Sequence, residues 1–184
     1  MRDNIFKSTM TSGLFLGVLF FVNFVLNSSS NVFIKLLSFL LIAFIIIVSI
    51  KNTKNYRDKE CNGTITYGRV FQYVTFMFLF AGIISSLFKI IYLQYINPDM
   101  LTNMFEESVR QIEQNRALFD RFNLPLDDKY FEELENQMKP VNYSLQSIWV
   151  NLIFGLVLGF ILGFFIKKEK SIFESDDNQT ISNV

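Results

Sequence analysis

The chain has 184 residues, is 51% hydrophobic and holds 22 phenylalanines. Its 17 Lys and Arg balance 17 Asp and Glu, so net charge points to no nucleic-acid or other charged partner. It has no His and a single Cys, Cys61, which removes the usual general base, the commonest metal ligand and any intrachain disulfide.

The first apolar run, Met10–Leu26, is slightly short of the roughly 20 residues that span a bilayer as a helix. It follows "MRDNIFK" and precedes "NSSSN", a layout shared with signal peptides. The run is long for a signal's apolar core, and the Ser cluster is a poor cleavage site, so an uncleaved helix is expected. Gly13 and Gly17 give it a small-residue face. The second run, Val32–Ile50, is interrupted by Lys35 near its start. An ionisable residue there is costly, and it either snorkels to the interface or lines a polar vestibule.

The segment from Lys51 to Arg69 is polar and basic, with Lys51, Lys54, Arg57, Lys59 and Arg69. It reads as a loop. "CNGT" is a turn signal, because Asn-Gly readily takes the positive φ angles of a tight turn. "TITY" alternates polar and apolar but is too short for an isolated strand. Three readings stand for this segment: a basic loop that only sets orientation, a contact for anionic lipid, and a docking or structural motif.

The third run, Val70–Ile96, exceeds one straight crossing. Ala81, Gly82, Ser85 and Ser86 form another small face. Lys89 falls about 10 Å short of the run's end at 1.5 Å per residue, so snorkelling and a vestibule are again the alternatives. Asn23, Gln72, Gln94 and Asn151 lie near span ends and are expected to hydrogen-bond between helices or at the interface. No carboxylate falls inside an apolar run, which argues against a proton-coupled transporter built on a buried acid.

Residues 97–146 form a polar insert. Asn97 suits a helix N-cap, Pro98 the first turn and Asp99 the helix dipole. Leu101, Phe105, Val109 and Ile112 follow at helical spacing, and Glu106 can pair with Arg110. "NLPLDD" breaks the helix, and a shorter one runs from about Asp127 to Lys139 before Pro140 ends it. A helical hairpin results. Its Asp127, Asp128, Glu132, Glu133 and Glu135 match no calcium-loop spacing and read as solvated surface rather than a metal site.

The fourth run, Ser147–Ile166, carries Gly155, Gly159 and Gly163, a ridge of glycines four apart. Such a face packs within one bundle or against another copy or partner. Residues 169–184 have no core-forming pattern and read as a flexible tail. The basic residues sort the ends. Arg2 and Lys7, the 51–69 segment, and Lys167, Lys168 and Lys170 alternate with the uncharged "NSSSN" and with an insert of five basic against ten acidic residues. The positive-inside rule then places both termini in the cytoplasm and the insert outside. Trp149, Tyr92, Tyr95, Tyr67 and Tyr73 fall at depths that suit an aromatic girdle.

"YRDKECNGTITYGRVF" resembles the signature of the DUF4199 family, small bacterial membrane proteins found mainly in Bacteroidetes. The matching positions are Tyr56, Arg57, Asp58, Lys59, Gly63, Ile65, Tyr67, Gly68 and Phe71. "YLQYINPDM" resembles the family pattern after the third helix, and the likeness extends over about Thr11 to Lys168. The resemblance implies an integral membrane protein with no established activity, so it transfers no catalytic residue.

The expected architecture is an all-α, four-span membrane domain over residues 1–168 with an extracytoplasmic helical hairpin. The expected role is a non-enzymatic accessory or scaffold subunit of the bacterial inner membrane. It would sit in the lipid bilayer, with no cofactor or metal, and contact a second copy or another membrane protein. The alternative is a small-solute transporter or channel subunit with an outer vestibule near Lys35 and Lys89.

Overall fold

The computed structural model describes residues 5–29, 31–122 and 126–168. Arg2, Lys170, the 169–184 tail and residues 123–125, the first half of "NLPLDD", lie outside these. Helix α1 is Ile5–Asn27, α2 Val32–Glu60 and α3 Tyr67–Ile91, the last prolonged by a π turn over Tyr92–Ile96. The insert holds α4 (Asp99–Gln114), α5 (Arg116–Arg121) and α6 (Asp128–Gln137), and α7 is Pro140–Ile166. There is no strand among the described residues, only an isolated antiparallel bridge between Ile65 and Lys168. α1, α2, α3 with its π turn, and α7 are each long and apolar enough to cross a bilayer, making this a multi-pass membrane protein.

Two spans are longer than their apolar runs. α2 continues from Ile50 through Glu60 because "KNTKNYRDKE" holds neither Gly nor Pro and its charged residues favour a helix. Tyr56, Arg57, Asp58 and Lys59 are therefore helical, and the loop expected over 51–69 shrinks to Cys61–Thr66. α7 begins at Pro140, seven residues before the apolar run. Proline lacks the amide that the first turn leaves unpaired, so it opens this helix instead of only ending α6. Between α3 and α4 the π turn closes through the Asn97 amide on the Tyr92 carbonyl at 2.9 Å, and Pro98 starts the new direction.

α3 is the central helix. α1 and α7 pack along it, while α2 leans on α1 and reaches α3 and α7 only weakly. The glycines explain the close approach. A Cβ on Gly13 would lie 2.7 Å from the Phe80 Cβ, and one on Gly17 would lie 2.7 Å from the Ile84 Cβ. On α7, a Gly155 Cβ would meet the Phe78 Cβ at 2.5 Å, and a Gly159 Cβ the Phe71 carbonyl at 3.2 Å. The α7 ridge is thus covered by α3 of the same chain. An oligomer built through it would have to displace α3. Leu16, Val70, Tyr73, Val74, Met77, Phe78, Leu158 and Leu162 fill the resulting core.

In the insert, α4 contacts α6, and α6 contacts α7. Asp127 caps α6 by accepting from the Tyr130 amide at 2.9 Å. Arg110 pairs with Glu107 rather than with Glu106, one of two carboxylates that the helix turns toward it. Of the aromatic residues expected at the girdle, Trp149 and Tyr95 are exposed, while Tyr73 is buried in the core.

Candidate functional site

The motif residues converge at the basic end of the bundle. Tyr56, on the last turns of α2, is buried and stacks on Tyr73 of α3 with ring centroids 4.3 Å apart. The Tyr56 hydroxyl accepts from the Arg69 Nε at 3.3 Å, and the Tyr73 hydroxyl pairs with the Ser12 Oγ of α1 at 3.1 Å. Polar tips and stacked rings thus tie three helices together at one level.

Arg57 faces the other way. Its Nε and Nη2 bond the two carboxylate oxygens of Asp58 at 2.7 and 3.2 Å, a bidentate pairing. Its Nη1 donates to the carbonyl of Ile166 at 3.4 Å. Ile166 is the last residue of α7, where unpaired carbonyls carry the negative end of the helix dipole. Asp58 holds the guanidinium plane, and Arg57 caps α7.

Past Glu60 the chain must reverse. Asn62 and Gly63 take φ of 54° and 78°, as their pairing predicts. The amides of Cys61 and Gly63 bond back to the carbonyls of Tyr56 and Arg57 at 3.2 and 2.9 Å. Ile65, buried, then exchanges two backbone hydrogen bonds with Lys168 at 2.8 and 2.9 Å. Tyr67 opens α3 by donating to the Phe160 carbonyl at 3.2 Å, and its ring covers Gly163. Phe71 lies one turn on, over Gly159. Lys59 is exposed, and Gly68 has open space around it. Seven of the nine motif positions thus form a clasp joining the ends of α2 and α7 to the start of α3.

Gly63→Ala is expected to cost about 1 kcal/mol, because only glycine takes that φ freely. Gly68→Ala, in a first helical turn with nothing to strike, is expected to cost nothing or to stabilise by a few tenths of a kcal/mol. Thermal unfolding of the purified chain in a mild detergent reads both. Equal losses at the two glycines would contradict this geometry.

A family model described as "Protein of unknown function (DUF4199)" matches residues 9–168, most of the chain. The chain belongs to this family. No curated protein and no solved structure matches it. The stretch on which the DUF4199 resemblance rested is thus a tertiary joint. Within it Tyr56, Arg57, Asp58, Thr64, Tyr67 and Arg69 make side-chain hydrogen bonds inside the chain.

The opposite, insert-bearing end holds the other singled-out residues. Lys35 is exposed and lines a cavity of about 830 Å³ with Asn27, Asn103 and Glu107. Lys89 is only 8% exposed and lines a neighbouring cleft of about 300 Å³ between α1, α3 and α7. Phe24, Asn27 and Tyr143 border both. Lys89 does not snorkel clear: its Nζ lies 4.9 Å from the centroid of the Phe24 ring. Asn23 bridges helices, donating to the Ser38 carbonyl of α2 at 2.7 Å. Asn151 instead donates within α7, to Ser147 at 2.8 Å. No cluster of three His, Cys, Asp or Glu side chains suited to a metal occurs among the described residues.

Proposed function

We propose that this protein is a non-enzymatic accessory or scaffold subunit of the bacterial cytoplasmic membrane. Its termini and basic end would face the cytoplasm, following the charge alternation of the loops. The observation that supports this reading is α2. The clasp anchors its far end, yet most of its length stands at the edge of the bundle. Phe33, Leu36, Phe39, Leu40, Phe44 and Ile47 are all exposed there. Its last turns carry Lys51, Lys54 and Lys59 outward beyond the apolar run. Such a helix offers a partner an apolar seam within the bilayer and a basic grip above it, and the partner is a second copy or another membrane protein.

Two measurements test it. Single cysteines at Asn55 and Gln114, in a Cys61→Ser background, are expected to label from opposite sides of the membrane with an impermeant thiol reagent. Labelling of both from the same side would refute the orientation. A photo-crosslinking residue in place of Leu40 is expected to give one discrete protein adduct in intact membranes. An adduct at twice the chain's mass would identify a second copy. Adducts with lipid alone would remove the support for a scaffold. A solute-handling subunit is the second reading, favoured by the burial of Lys89 in an open cleft.

A further inference from the structure

We propose that the cleft between α1, α3 and α7 is a binding site for an oxyanion, a phosphate or carboxylate group seated on Lys89. This holds whether or not the protein moves a solute, because it concerns binding alone. Lys89 is more than nine-tenths buried, and no carboxylate lines the cleft among the described residues. No hydrogen bond or ion pair of its ammonium group is seen there. Its one recorded partner is the face of Phe24, which attracts a cation but supplies no negative charge. A buried ammonium left in that state is costly, and an anion brought to it removes the cost.

The adjoining cavity offers no substitute. Its carboxylate, Glu107, is taken by Arg110 and by the Gln111 Nε2 at 3.0 Å. The rest of the lining suits an oxyanion. Asn27 and Gln146 present amides that can donate, and Tyr143 a hydroxyl. A positive charge with neutral donors and no acceptor charge selects an anion over a cation or a neutral sugar.

Depth leaves two sources for the group. Lys89 lies seven residues before Ile96, about 10 Å below the end of the span, within reach of a lipid headgroup and of a small anion entering from water. The test uses the full chain purified in neutral detergent. The acylation rate of Lys89 by a small water-soluble ester is followed by mass spectrometry of its peptide. The probes are phosphatidylglycerol in phosphatidylcholine mixed micelles, inorganic phosphate and acetate. At ten times Kd a true ligand slows the reaction about tenfold, while Lys35 continues to react at its own rate. Protection by phosphatidylglycerol alone assigns the site to a headgroup. Protection by phosphate or acetate assigns it to a free oxyanion. If none of the three protects Lys89, the proposal is wrong. The second arm is the binding isotherm of the protecting probe to Lys89→Met, which replaces the buried charge by an apolar chain of similar length. Its affinity is expected to fall at least about tenfold, with Lys35→Ala unchanged, and wild-type affinity in Lys89→Met would overturn the assignment.

Discussion

Gly155→Leu is expected to destabilise the folded chain by about 3 kcal/mol or more, in the upper range for overpacking a core. A Cβ at this position would sit 2.5 Å from the Phe78 Cβ and 3.0 Å from its Cγ. Those atoms lie next to the α3 backbone, and Phe78 is fully buried, so no rotamer change relieves the clash. The helices themselves must separate, along the contact that fills most of the core. Gly163→Leu makes the informative comparison. Its nearest neighbours are ring atoms of Tyr67, 2.5 and 2.7 Å away, at the far end of a side chain that is only half-buried. That ring can swing, so the cost there should be clearly smaller. Thermal unfolding in detergent, read by loss of the folded peak in size-exclusion chromatography, ranks the two. Wild-type stability in Gly155→Leu would mean that α7 does not present this ridge to α3.

Tyr56→Ala is expected to have an effect of similar size, about 3–4 kcal/mol, typical of deleting a buried aromatic ring. The change removes the stack on Tyr73 and leaves Arg69 without the phenol oxygen. The consequence should be local before it is global. α2 has few contacts with α3 and α7, and the stack and the Arg69 hydrogen bond at this end are among them. Freed here, residues 51–60 should exchange amide hydrogens much faster, while the α1–α3 and α3–α7 contacts keep their protection. Uniform acceleration throughout the chain would show that the clasp is not a separable unit. Tyr56→Phe keeps the ring and should recover most of the loss.

The four crossings were legible because long apolar runs without a polar face have few other uses. The Asn62–Gly63 reversal was legible too, since it depends only on local backbone preference. Helix ends were not. Hydropathy stops at Ile50 and starts at Ser147, but a helix is free to continue into water where nothing breaks it, and α2 and α7 do so. Sequence could not choose what the α7 glycines face, because a small-residue ridge accepts a helix of its own chain as readily as one from another. Nor could it place Lys89. Helical position gives a residue's depth, but only the packing of α1 and α7 on either side of α3 decides whether it meets lipid, water or a cleft. The joint between Ile65 and Lys168 links residues 103 positions apart and leaves no local pattern to read.

That joint also sets an order of events during synthesis. Both of its backbone hydrogen bonds need Lys168, and Arg57 needs the carbonyl of Ile166. While the ribosome is still making α3 and the insert, α2 has its own helical bonds and its packing on α1, but nothing to fasten its far end to α7. The joint closes only when the last crossing is complete. A chain stalled before that point carries three crossings with the basic turn held to α3 but not to α7, so truncation just ahead of α7 should expose that turn to protease in a way no point change in α1 reproduces.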